Sequence, residues 1–188
     1  MDPMRRTRFA TLNVLAPAIL AMLATPRPAW AAFGDPEIRT DLAAGYSSYQ
    51  SNRRYHGIGG ALTAQYVFGT TWGLTARYGA SEHEIRGASF EVHQLGLGGR
   101  YRLDVFEYVP YLEVAPTAYL TTGSGGPQER PAAGLRFGMG FDRLLGDRVT
   151  LGCGLHYHRL FSESVFPSYL EVQLSLGFRW SLGDPLAP

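Results

Sequence analysis

The stretch GLRFGMGFDRLLGDRVTLGCGLHY, residues 134–157, decides the fold class. Its first half sets Leu135, Phe137, Met139 and Phe141 against Arg136, Gly138, Gly140 and Asp142 at alternate positions. Past Gly146-Asp147 the pattern returns, with Val149, Leu151, Cys153, Leu155 and Tyr157 against Thr150, Gly152, Gly154, His156 and His158. A period of two is the mark of a strand with two unlike faces. Two such runs joined by a short Gly-Asp link read as a β-hairpin.

The same alternation extends in both directions and gives eight segments. The closing one sets Leu170, Val172, Leu174, Leu176, Phe178 and Trp180 against Glu171, Gln173, Ser175, Gly177 and Arg179. The fifth sets Leu112, Val114, Ala118 and Leu120 against Tyr111, Glu113, Thr117 and Tyr119, and the fourth Leu95, Leu97, Tyr101 and Leu103 against Gln94, Gly96, Gly98, Arg100 and Arg102. The third pits Trp72, Leu74, Ala76 and Tyr78 against Gly73, Thr75 and Arg77; the second, Ile58, Leu62, Ala64, Tyr66 and Phe68 against Gly57, Gly59, Thr63 and Gln65. The first segment is short, with Leu42, Ala44 and Tyr46 against Asp41, Gly45 and Ser47. Links at Gly69 to Thr71, Asp104 to Tyr108 and Gly146-Asp147 are tight. Those at Glu82 to Ser89, Gly123 to Pro131 and Ser162 to Pro167 are longer, and the first, around Asn52 to Arg54, is short for its side.

The contrast between the faces sets the environment. A soluble barrel turns its aliphatic residues inward and its charges outward. Here the face opposite the aliphatics is Gly, Ser and Thr with scattered Arg and Glu, which suits a narrow lumen and makes a poor solvent face. Phe68, Trp72, Tyr101, Phe141 and Trp180 fall at the tight-turn ends, and Tyr46, Tyr78, Tyr157 and Tyr169 at the loop ends, as two outer girdles would require. Segments of about ten residues or slightly more match tilted membrane strands. The expected fold is an all-β, eight-stranded antiparallel up-and-down transmembrane β-barrel with short turns on one rim and external loops on the other.

Residues 1–31 are expected to be a cleaved signal peptide, with 32–188 forming the barrel domain. Arg5, Arg6 and Arg8 precede the apolar run Phe9 to Leu23, and Ala29-Trp30-Ala31 supplies a small-x-small cleavage site. The run is interrupted by Asn13 and Pro17 and falls short of the ~20 residues of a membrane helix. Without the leader, 13 basic and 15 acidic residues remain, which argues against a nucleic-acid partner. Every basic residue is arginine. The single cysteine, Cys153, has no internal disulfide partner and is expected to be a small buried hydrophobe on the apolar face.

Across roughly residues 38 to 182 the chain resembles the small outer-membrane β-barrel family of OmpX and the OmpA membrane domain. The resemblance is carried by VPYLEVAP (109–116), the hairpin quoted above and LEVQLSLGFRW (170–180). It implies an outer-membrane location in a Gram-negative-type envelope. It also implies contact with outer-membrane lipid and lipopolysaccharide, and insertion by the barrel-assembly machinery. Members commonly end on an aromatic residue, which Trp180 would match, but SLGDPLAP follows it. The anchoring role of larger relatives with a peptidoglycan-binding domain is not carried over.

Chemistry is expected only in the lumen. Hairpin register places Arg100 near Glu113, His158 beside Glu171 and His156 beside Gln173, with Arg136 reaching His156. These residues form a polar plug or ligand-binding cluster, since buried charges need partners. No catalytic residue, metal site or cofactor is expected, and the role is structural, surface-interacting or of minor permeability. The alternative is a lipid-modifying barrel enzyme of the lipid A deacylase type, which uses His, Ser and Glu. His158, Ser162 and Glu171 stand in that order, but that family's His and Ser lie two apart, where here His156 is followed by His158. If the leader is removed as read, N-terminal sequencing of protein extracted from membranes will begin at Ala32; a retained full-length leader contradicts the assignment.

Overall fold

The computed structural model describes residues 36–50, 54–85, 88–103, 108–123, 131–145, 148–161 and 168–182. The leader expected over 1–31 lies outside the described residues, as do most of the residues expected to link the strands. Eight strands follow one another: β1 (Glu37–Gln50), β2 (Arg54–Phe68), β3 (Trp72–Ile85), β4 (Ala88–Arg102), β5 (Tyr108–Thr122), β6 (Pro131–Leu145), β7 (Val149–Leu160) and β8 (Ser168–Ser181). Each pairs antiparallel with the next, and β1 closes the ring on β8 through pairs such as Leu42 with Leu176. Closure leaves no sheet edge, which is what lets a sheet live in hydrocarbon.

The stagger follows from the register. A row of partners starting at Leu112 on β5 runs through Met139, Leu155, Val172, Tyr46, Ile58, Glu82 and Glu91, and returns to β5 at Thr122, ten residues further on. For eight strands spaced as in ordinary sheets, that offset fixes a tilt of about 40°. A 15-residue strand such as β5 then reaches about 35 Å along the barrel axis, against an apolar band of about 25 Å.

The alternation faces as expected. Leu42, Ile58, Leu74, Leu97, Leu112, Met139, Leu151 and Leu174 are exposed on the outside, while Arg39, Arg77, Arg100, Glu113, Arg136 and Glu171 are buried within. An aliphatic coat over a charged interior is the reverse of a soluble barrel and is the surface of a transmembrane one. At the tight-turn rim the outer aromatics meet in pairs: Trp72 on Tyr101, Tyr108 on Phe141, Phe178 on Trp180. Gly69 makes the β2–β3 turn with a φ of 71°, a conformation that side chains resist. In the β4–β5 ladder, Leu97 and Gly98 go unpaired opposite Ala115 and Pro116, because proline has no N–H to offer.

Several expectations need correction. The strands run to 12–15 residues, longer than anticipated, and the expected loop from Glu82 to Ser89 is mostly strand, with β3 continuing to Ile85 and β4 starting at Ala88. Above the membrane the outer face meets water, so Glu82, Glu84 and Glu91 can point outward from regular strand and mimic a loop by composition. Arg54, expected in a link, opens β2. Tyr169, placed in the outer girdle, is buried in the lumen, in phase with Glu171 and Gln173. Cys153 is free, faces outward and is only half-buried, because its neighbours on that side are lipid-facing residues.

The two faces of β8 give a direct test. Leu174 is 64% exposed and Gln173 5% exposed. Leu174→Arg will place a charge in the apolar band and cost ~2–4 kcal/mol in urea titrations of vesicle-inserted protein. Gln173→Arg will instead respond to lumenal pairing; equal losses from the two variants would mean the faces are assigned wrongly.

Candidate functional site

The lumen is too narrow to hold its side chains independently, so large inward residues lie across small ones on the neighbouring strand. A Cβ on Gly138 would come within 2.5 Å of the His156 ring, and one on Gly57 within 2.1 Å of the His83 ring. The glycines opposite the aliphatic face are therefore the sockets of the lumenal polar residues.

These polar residues form tiers. At the tight-turn end Arg179 on β8 donates to Glu37 on β1 at 2.5 Å, and just inside it Arg39 on β1 donates from Nε to Asp41 at 2.6 Å and from Nη1 to Asp142 on β6 at 2.8 Å. Next, Arg100 donates from Nε and Nη2 to one oxygen of Glu113, at 2.8 and 2.7 Å, and lies 4.3 Å from the centre of the Tyr111 ring. The other Glu113 oxygen accepts from Arg136. A third tier centres on Glu171, which accepts from Arg77 of β3 at 3.0 Å and lies 3.1 Å from Nε2 of His158. A carboxylate only accepts, so Nε2 of His158 donates to it, and Nδ1 lies 2.9 Å from the Tyr119 hydroxyl. Arg39–Asp142 and Arg77–Glu171 join strands that are not neighbours, and so cross the lumen.

Toward the loop rim the character changes. Phe90, Val92, Tyr119, Ala132, Leu160 and Tyr169 form a buried apolar cluster inside the barrel. His83 stacks on Phe90 at 5.0 Å, and His158 lies nearly parallel to Tyr169, centroids 4.1 Å apart. An aromatic layer thus overlies the ionic tiers.

Arg100 and Glu113 are direct partners in register and in contact. His158 does touch Glu171, but along the diagonal: the register pairs His156 with Glu171 and His158 with Tyr169, two residues from expectation. His156 still reaches Gln173, with 3.4 Å between their Nε2 atoms. Arg136 stands opposite His158 and turns to Glu113, where a carboxylate offers it more than an imidazole. Sequence reasoning marked Arg77, Asp142 and Tyr119 as inward but not as members of the network, because their partners lie on distant strands. Arg39 and the aromatic layer were missed, although the inward phase of Gln94 extends to Val92 and Phe90, and that of His158 to Leu160.

Among the described residues the lumenal side chains offer bases and charge pairs, His158 against Glu171 among them. No group of three or more His, Cys, Asp or Glu residues suited to a metal ion occurs among the described residues. His158 and Glu171 face the lumen, and Ser162 lies outside the described residues.

No protein-family model matches the chain, and no curated protein matches it in sequence. Solved structures do match. Neisserial surface protein A is 18% identical, with a TM-score of 0.61, covering 78% of this chain and 97% of its own. Ail, the attachment invasion locus protein of Yersinia pestis, solved with the heparin analogue sucrose octasulfate, is 16% identical with a TM-score of 0.52, covering 79% and 99%. A de novo designed transmembrane β-barrel is 14% identical with a TM-score of 0.51, covering 77% and 95%. That a designed barrel fits nearly as well shows how little of this likeness concerns function.

Glu113 holds two arginines, and this yields a graded expectation. Glu113→Ala alone takes the shared carboxylate from both, leaving Arg100 only Gln65 and the more distant Asp41, and will cost ~3–5 kcal/mol, the range for breaking a fully buried pair. Adding Arg100→Ala will recover only part of that loss, since Arg136 remains without its carboxylate; adding Arg136→Ala as well will recover more. Strictly additive losses in unfolding titrations would show that the three groups do not interact. Tiers of paired charge within a ring of eight staggered strands, coated in aliphatic side chains, give this chain the fold of the small outer-membrane β-barrels.

Proposed function

We propose that this protein is exported with residues 1–31 removed and resides in the outer membrane of a Gram-negative-type envelope. It acts there through its surfaces, in envelope structure and contact at the cell exterior, with solute passage at most a minor part. The reading rests on the filled lumen. Cross-lumen pairs Arg39–Asp142 and Arg77–Glu171 span the interior, and the Phe90–Tyr169 layer covers them on the loop side. An eight-stranded ring has little interior left after such filling.

A lipid-modifying enzyme draws less support. The His158–Glu171 contact resembles a base with its orienting carboxylate. Both groups, however, are buried in the lumen, at 0% and 5% exposure, and have no access to a lipid outside. The sulfated sugar seen on Ail does not carry over to the β3–β4 rim, where Glu82, Glu84 and Glu91 point outward and would repel a polyanion.

Two measurements test this. Proteoliposomes should swell in iso-osmotic arabinose no faster than protein-free vesicles, and swelling at the rate of an open porin would contradict the closed lumen. Mass spectrometry of lipid A from expressing cells should show unchanged acylation. Acyl loss that vanishes in His158→Asn, Ser162→Ala and Glu171→Gln would replace this reading with the enzyme.

A further inference from the structure

The lipid-facing surface is not evenly convex. From the end of β4 to β8 it holds two adjoining hollows of about 280 Å³ and about 700 Å³ that share Leu112, Met139 and Leu155 in their walls, so they form one furrow. Small outward residues explain the depression. Cys153 stands in register between Phe141 and Leu174, and Pro110 stands opposite Phe141 on its other side. A large residue at either place would fill the floor. From Phe141 to Phe137 the furrow follows four residues of β6, about 13 Å of strand.

The tight-turn end of this furrow carries a cation. Arg143 points outward two residues beyond Phe141 and pairs with Tyr108, over whose ring its guanidinium sits at 5.4 Å. Tyr108 in turn meets Phe141 edge-on at 6.2 Å. Apolar furrow, aromatic girdle and positive charge are thus continuous through three touching side chains. The Arg143 side chain lies outside the barrel and is exposed.

We propose that this furrow is a binding site for a phospholipid of the tight-turn leaflet, with one acyl chain along Leu112, Met139, Cys153 and Leu155 and the phosphate on Arg143. The inference rests on the reading of the chain as a membrane barrel and names one lipid contact within it. The arrangement matches an amphiphile in order: an aliphatic chain for the furrow, then an interfacial zone at Tyr108, then an anion for the guanidinium. Arginine also suits a phosphate through its forked donors. A second copy of the chain fits less well, because the furrow is concave with apolar walls. Arg159 points outward two residues beyond Tyr157 at the loop end, but the wider hollow, with Cys153 and Pro110, lies at the Arg143 end. Lipopolysaccharide belongs to the opposite, loop-side leaflet. Cys153 then has a role that needs no thiol chemistry: it keeps the floor of the furrow low.

The test uses the full mature protein in phosphatidylcholine vesicles doped with phosphatidylglycerol bearing a diazirine on one acyl chain. After photolysis, cross-linked residues are mapped by mass spectrometry. Cross-links will concentrate at Met139, Cys153 and Leu155. Cys153→Trp will remove most of them, Arg143→Glu will lower their yield severalfold, and Arg143→Lys will retain much of it. Labelling spread evenly over the outward residues of all eight strands, and indifferent to these changes, overturns the site while leaving the membrane barrel intact. A dimer trapped through Cys153 by a short membrane-permeant bis-maleimide in the same vesicles, with lipid cross-links at the furrow lost, overturns it in favour of a second copy. A chain that does not insert into the vesicles overturns both the site and the membrane reading.

Discussion

A closed ring of eight strands leaves an interior about as wide as the side chains that fill it, and at membrane depth most of those side chains are polar. Lipid claims the aliphatic side chains for the outer face, so the lumen must be filled with polar groups in a space that admits little water. Under those conditions an arginine without a carboxylate is costly. The result is the tiered network: Arg39 with Asp41 and Asp142, Arg100 and Arg136 on Glu113, Arg77 and His158 on Glu171. The glycines follow from the same crowding. Gly138 is small because the His156 ring lies over it, and Gly57 because His83 does.

The ends of the barrel obey different rules from its middle. Strands that rise about 10 Å beyond the apolar band have water on the outside, so Glu82, Glu84 and Glu91 are at no cost on the outer face of β3 and β4. Inside, at the same end, the polar filling gives way to Phe90, Val92, Leu160 and Tyr169. The usual polarity of the barrel is thus inverted near the loop rim. Ion pairs and an aromatic layer thus stand in series along the interior.

How much of this was legible depends on how far apart the partners stand along the chain and around the ring. Leu174 and Gln173 could be assigned to opposite faces from alternation alone. Arg100 and Glu113 could be matched because a short link between adjacent strands fixes their register. His158 and Glu171 were matched one step off, since Ser162 to Pro167 leaves the register of β7 on β8 open by two residues. Arg39 with Asp142 and Arg77 with Glu171 were out of reach, because a sequence shows neighbours along a hairpin and not groups facing each other across a lumen. Tyr169 misled for another reason. An aromatic residue near a strand end reads as girdle, and only its phase with Glu171 tells that it turns inward; Phe90 carried no reading at all.

Ion pairs span the interior and fill it. The coupling between Arg77 and Glu171, which sit on strands separated by β1 and β2, tests this most directly. A double-mutant cycle with Arg77→Met and Glu171→Gln, followed by urea unfolding from lipid vesicles, should return an interaction energy of about 1–3 kcal/mol, the size expected of groups in contact. Losses that add to within about 0.5 kcal/mol would mean that the two charges stand apart in water, and that the barrel encloses an open channel.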